Sequence, residues 1–180
     1  MHKIIFTGPV GAGKTTAIGA ISDVEPFTTE EAATDDVQEM KTHTTVALDY
    51  GLLELGNGEV VHLCGTPGQT RFDFMWEILT EGGVGLILLI NNQEKDPIAD
   101  LNFYLDQFDE FIQRTGVAIG VNRMQPGETP TLDQYAAELR RRGLNAPMFE
   151  VDPRKPEDVI LLTQALLFDL DPELRDTATA

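Results

Sequence analysis

Phe6-Thr7-Gly8-Pro9-Val10-Gly11-Ala12-Gly13-Lys14-Thr15-Thr16 is the stretch whose residue types and spacing bear most directly on chemistry. It fits G-x-x-x-x-G-K-[ST] and follows Lys3-Ile4-Ile5-Phe6, an apolar run of the kind that forms a buried parallel strand. Gly8, Gly11 and Gly13, with Pro9, Val10 and Ala12 among them, let the chain bend tightly enough for successive N–H groups to converge on phosphate oxygens. A helix opening near Lys14 adds the positive end of its dipole. In this pattern Lys14 reaches the β- and γ-phosphates of a nucleotide, the Thr15 hydroxyl ligates Mg²⁺, and Thr16 completes the phosphate-binding set. Strand, loop and helix start in that order distinguish such a loop from a glycine-rich turn that merely matches.

The elements that must position this loop follow from hydrophobic periodicity. A short helix over 16–22 is stopped by Asp23-Val24-Glu25-Pro26, and a polar stretch over 27–44 reads as a long loop. Residues 46–54 and 59–64 read as two antiparallel strands joined at Gly56-Asn57-Gly58. An irregular helix fits 71–79, and 84–90 is a continuous apolar strand suited to the centre of a parallel sheet. Leu101, Leu105, Phe108 and Phe111/Ile112 recur at helical spacing within 99–114, with Gly116 closing the helix. Residues 117–121 form a strand. Thr131 and Gln134 make a capping box for a helix ending at Gly143, 148–151 form the last strand, and Pro156 opens a final helix through Phe168. Strands alternating with helices after one early hairpin imply an open, mostly parallel sheet covered on both faces.

Composition narrows the partners. Thirty acidic residues against 13 basic ones leave a net charge of −17, which repels nucleic acid and anionic membrane surfaces. The chain of 180 residues suits one domain. The start at Met1-His2-Lys3 carries no secretory leader, the apolar run at 84–90 is too short to span a bilayer, and neither end carries a lipidation signal. Cys64 stands alone, so neither an internal disulfide nor a cysteine zinc site is expected. A cytoplasmic protein without a stable membrane anchor is the expectation.

Two further segments carry a family resemblance. Thr45-Val46-Ala47-Leu48-Asp49-Tyr50 resembles the passage from switch I into a strand in Ras-like small GTPases. Gly65-Thr66-Pro67-Gly68-Gln69-Thr70-Arg71-Phe72 is similar to their switch II, Asp-Thr-Ala-Gly-Gln-Glu-Arg-Phe, and follows a strand as it does there. The likeness runs roughly from Lys3 to Phe168 and looks most like bacterial Ras-like GTPases of the gliding-motility (MglA-like) and conservon type. It implies a three-layer α/β/α P-loop NTPase whose Ras-like six-stranded, mostly parallel sheet has one antiparallel strand. The domain would span 1–170, with a flexible tail over 171–180. The resemblance further implies GTP and GDP as ligands, with Mg²⁺ on Thr15 and Thr45 and the Gly68 amide on the γ-phosphate. Gln69 would orient the attacking water while Lys14 neutralises charge. Loops at about 28–45 and 65–79 would face an effector, and a roadblock-domain protein would be the regulator.

The departures from that family are specific. Gly65 replaces the switch II aspartate that helps hold Mg²⁺ through water, and no replacement carboxylate stands out in the sequence. Val10 occupies a position usually held by glycine, where a branched side chain crowds an arginine finger; without one, hydrolysis is slow. Arg71 is a candidate in-chain arginine, with a solvated side chain as the plainer reading. Asn122-Arg123-Met124-Gln125 stands where Asn-Lys-x-Asp is expected: Asn122 matches and Arg123 can stack on a base, but Gln125 offers one neutral acceptor in place of two charged ones. Asp152-Pro153-Arg154 takes the place of the last base element, its backbone within reach of the base. These changes leave a second reading open, a nucleotide-binding interaction module with little hydrolysis and weak guanine specificity. His2 and His62 are read as structural, and Lys41 or His43 as candidates to face the γ-phosphate. Arg140-Arg141-Arg142 complements a helix dipole, while Phe72, Phe74, Met75 and Trp76 are either core or partner surface.

Overall fold

The computed structural model describes residues 2–28, 48–55, 58–68 and 74–170. The elements run β1 (His2–Thr7), α1 (Lys14–Ile21), β2 (Phe27–Thr28), β3 (Asp49–Glu54), β4 (Val60–Gly65) and α2 (Phe74–Thr80). They continue with β5 (Gly85–Asn91), α3 (Pro97–Gln107), α4 (Asp109–Arg114), β6 (Val117–Asn122), α5 (Leu132–Arg141), β7 (Met148–Glu150) and α6 (Pro156–Leu170). The strands form one mixed sheet in the order β2-β3-β4-β1-β5-β6-β7. β3 alone runs against its neighbours, pairing antiparallel with β2 and β4. Helices cover both faces, giving three layers.

Among the described residues the sheet therefore has seven strands where six are expected. The additional one is the two-residue β2, which pairs Phe27 with Tyr50 and Thr28 with Asp49. It lies at the start of the stretch read as loop, where pairing with an existing edge, not sequence periodicity, makes the strand. The expected hairpin is present: β3 and β4 pair from Asp49–Gly65 to Glu54–Val60, and Gly58 N–H donates to Leu55 O. The expected helix over 99–114 is two helices, starting earlier because the Asp96 side chain caps the Ala99 N–H at 3.0 Å. It breaks at Phe108, whose ring stacks on Trp76 at 5.2 Å between centroids and is drawn into the core there.

All seven residues of β5 are buried, which is why this segment reads as a continuous apolar run and not as an alternating one. One core packs α2, α3, α4 and α5 on a face of the sheet through Trp76, Leu101, Tyr104, Phe108 and Tyr135; the other packs α1 and α6 through Ile18, Leu162 and Leu166. Each such side chain contributes roughly 1.5–3 kcal/mol by leaving water. Trp76 thus belongs to the core, whereas Phe72 and the side chains of Phe74 and Met75 lie outside the described residues. The capping box of Thr131 and Gln134 is formed as expected. The arginine run does more than face a dipole: Arg141 pairs with Glu138, and Arg142 reaches Asn102 and Asp106, tying α5 to α3. Among the described residues no helix is long and apolar enough to cross a membrane.

Candidate functional site

β1 lies between β4 and β5, so the strand order reverses there. In open α/β sheets ligands sit in the crevice beyond the carboxyl ends of strands at such a point. The segment 8–13 occupies that position. Gly8, Gly11 and Gly13 take φ of 139°, 78° and 92°, values that side chains with a Cβ resist. Gly8 is the most constrained, since a Cβ there would stand 2.1 Å from the carbonyl oxygen of Leu89. Gly13 then caps α1, leaving the first N–H groups and the positive end of the helix directed at the loop.

Lys14, the first residue of α1, is 7% exposed. Its ammonium donates to the carbonyls of Gly8 at 2.7 Å and Pro9 at 2.8 Å, curling back under the loop. Burial pushes its pKa down from 10.5 to about 8, with the Asp49 carboxylate pulling the other way. Gly68 approaches the same ammonium from the far side. A Cβ on Gly68 would lie 2.8 Å from Lys14 Nζ and from the Val10 backbone nitrogen. Two core side chains hold this approach: Trp76 Nε1 donates to Pro67 O at 3.2 Å, and the Tyr104 hydroxyl donates to Gly68 O at 3.2 Å. Behind them, Thr66 N–H donates to Phe6 O, and the hydroxyls of Thr7 and Thr66 meet at 2.8 Å.

The Thr15 hydroxyl donates to Oδ2 of Asp49 at 2.6 Å. Asp49 faces Gly65 across the β3–β4 ladder, and a Cβ on Gly65 would stand 3.0 Å from Asp49 Cβ and 3.1 Å from its Oδ2. A carboxylate from the neighbouring strand thus stands beside Thr15, close to the space a side chain at 65 would fill; it did not stand out in the sequence. The signal was present in the hairpin: Asp49 and Gly65 lie equally far from Asn57, the middle of the turn.

A cavity of about 720 Å³ opens beside the loop, lined in part by Gly13, Asn122, Arg123, Val151, Pro153 and Arg154. Asn122 ends β6 and is 3% exposed. Its Nδ2 donates to Ala12 O at 2.5 Å, fastening β6 to the glycine loop, while its buried Oδ1 has no partner among the described residues. Arg123 takes a left-handed φ of 54°, and its carbonyl accepts from Gln93 Nε2 at 3.0 Å. The Arg154 guanidinium grips the Asp152 carboxylate at 2.7 and 2.8 Å and holds its pKa well below the usual carboxylate range. The structure thus gathers Gly11, Gly13, Thr16, Asn122, Arg123 and 152–154 around this opening, while Gly68 stands against Lys14 and Val10 on the same glycine loop. Gln125 is exposed and outside the cavity lining. Thr45 and Gln69, like Lys41, His43, Arg71 and the tail over 171–180, lie outside the described residues. His62 accepts or donates a 2.5 Å hydrogen bond with the Tyr50 hydroxyl on β3.

Fold and site together define an α/β protein with a mixed sheet and a glycine-rich loop ahead of a helix at the carboxyl end of its central strand. No family model matches the chain. An uncharacterized protein of Methanocaldococcus jannaschii is 32% identical over 111 residues, covering 58% of this chain and 71% of that protein. The chain belongs to the family of that archaeal protein.

Proposed function

We propose that the chain is a Ras-like GTP-binding switch of the MglA-like kind, which hydrolyses GTP slowly and changes its partner surface with the state of the terminal phosphate. The observation that carries this reading is the contact between two loops. Gly68 stands against Lys14 and Val10, so an added phosphate at the glycine loop must move or hold the segment that begins at Gly65. Backbone N–H groups and the Lys14 ammonium would neutralise the phosphates; little covalent chemistry is asked of the protein in such a transfer. Gln69, next in the chain, would orient water.

The donor set suits a magnesium ion. Thr15 Oγ1 offers a neutral oxygen and Asp49 a carboxylate beside it; Thr45, outside the described residues, would add a second hydroxyl, and phosphate oxygens and water would complete a hard-oxygen shell. When bound, the ion would spread the charge of the β- and γ-phosphates. Asp49 would orient water through a hydrogen bond, as the Gly65 position does in related proteins, while keeping Thr15 aimed. A roadblock-domain regulator is the partner class this reading carries with it.

Val10, 59% exposed on the glycine loop, favours the second reading, an interaction module with little turnover. Phosphate release under single-turnover conditions tests both. The switch predicts slow release that falls at least roughly tenfold in Gln69→Ala, the scale of one water-positioning group. Equal rates in the two proteins would leave the module.

A further inference from the structure

We propose that this site does not select its nucleotide through the edge of the base, and that it binds GTP and ATP with comparable affinity. The inference rests on the nucleotide reading above and names its ligand class. A pocket that selects guanine needs a donor for O6 and an acceptor for N1–H and N2–H₂, whereas adenine presents an amino donor and a bare ring nitrogen. In this cavity the backbone donors and two of the three carboxylates are engaged elsewhere.

The donors of the loop between β7 and α6 are committed or absent. Val151 N–H donates to Val121 O at 2.9 Å, Asp152 N–H to Asp158 Oδ2 at 2.8 Å, Arg154 N–H to Asp152 Oδ1 at 3.0 Å and Lys155 N–H to Asp152 O at 2.9 Å. Pro153, between them, has no N–H at all. Its ring forms the cavity wall, with Cγ 2.8 Å from where a Cβ on Gly13 would stand. On the opposite side, Asn122 gives one Nδ2–H to Ala12 O, and its Oδ1 is a neutral acceptor without a partner among the described residues. The sequence expectation that the 152–154 backbone reaches a base is thereby confined to its carbonyl oxygens.

The charged acceptors fare no better. Gln125 is neutral, exposed and outside the lining. The Asp152 carboxylate is held by Arg154 and that of Asp158 by the Asp152 N–H. Glu150, the remaining carboxylate of the lining, is exposed, where water competes for any hydrogen bond it makes. What the cavity does offer is the planar guanidinium of Arg123 and that of Arg154. Stacked on the face of a purine, such groups do not distinguish one purine from another.

Isothermal titration of the full chain with Mg·GTP and with Mg·ATP tests this directly, alongside a Pro153→Ala variant. The wild-type dissociation constants are expected to agree within about threefold, and the variant, regaining a backbone donor in the cavity wall, to favour GTP by about fivefold or more. A wild-type preference for GTP beyond about tenfold, the scale of one discriminating hydrogen bond, overturns the inference and leaves the nucleotide reading standing. A ratio unchanged in the variant overturns the assignment to position 153. Absence of binding by both nucleotides at millimolar concentration overturns this inference and the nucleotide reading together.

Discussion

Lys14→Met keeps a straight, buried side chain of similar length and removes the charge, which makes it the sharpest probe of the site. Burial lowers the Lys14 pKa from 10.5 to about 8, against a partial opposing pull from Asp49. Holding the ammonium charged at neutral pH therefore costs the folded chain roughly 3 kcal/mol, at about 1.4 kcal/mol per pH unit of displacement. The folded protein releases this proton near pH 8, while the unfolded chain keeps it to about 10.5. Across that window the unfolded state binds more protons, so the contribution of Lys14 to stability rises with pH; below pH 8 it is constant. Urea unfolding of nucleotide-free protein at pH 7 and pH 9.5 should show the wild type gaining about 2 kcal/mol more than Lys14→Met between the two conditions. The carbonyls of Gly8 and Pro9 lose their donor in the variant, a cost of about 1 kcal/mol each that is the same at both pH values and cancels. Mg·GTP at a hundredfold excess over its dissociation constant should stabilise the wild type by about 2.7 kcal/mol and leave the variant unmoved. Parallel pH profiles would refute the buried charge, and equal stabilisation by nucleotide would refute its role in binding.

Three further substitutions examine the neighbouring contacts. Gly65→Asp places a second carboxylate within contact of Asp49 and should cost about 2–3 kcal/mol in thermal unfolding through overpacking and like charge, a loss largely recovered in Gly65→Asp/Asp49→Gly. In Asp49→Asn the Mg²⁺ concentration needed for nucleotide binding should rise ~10-fold, as for loss of an outer-shell ligand; an unchanged requirement would remove Asp49 from the metal site. Gly68→Ala puts a methyl 2.8 Å from Lys14 Nζ and should push the second loop away. The GTP-to-GDP affinity ratio is then expected to fall at least about fivefold, the small end of a typical coupling between sites; a ratio equal to wild type would break the link between the two loops.

Much of this protein is decided locally and is therefore legible in the chain itself. The glycine loop, its strand and its helix start are consecutive, so their order alone places Lys14 and Thr15 together. β5 and β6 are buried on both faces, which makes their apolar runs unbroken, and the Thr131 capping box is a four-residue pattern. Strand β2 was not legible, because a two-residue strand exists only by hydrogen bonding to an edge formed by residues far along the chain. Nor was the break at Phe108, where helical periodicity continues and only packing against Trp76 marks the change. The carboxylate beside Thr15 depends on the register of a hairpin, and the backbone donors of 151–155 on which atoms fold back to meet them. Sequence thus determined the glycine loop and the lysine and threonine that follow it, since they are contiguous residues. Tertiary structure decided which carboxylate serves Thr15 and which polar groups remain at the cavity, since hydrogen bonds between distant segments are settled only when the sheet is assembled.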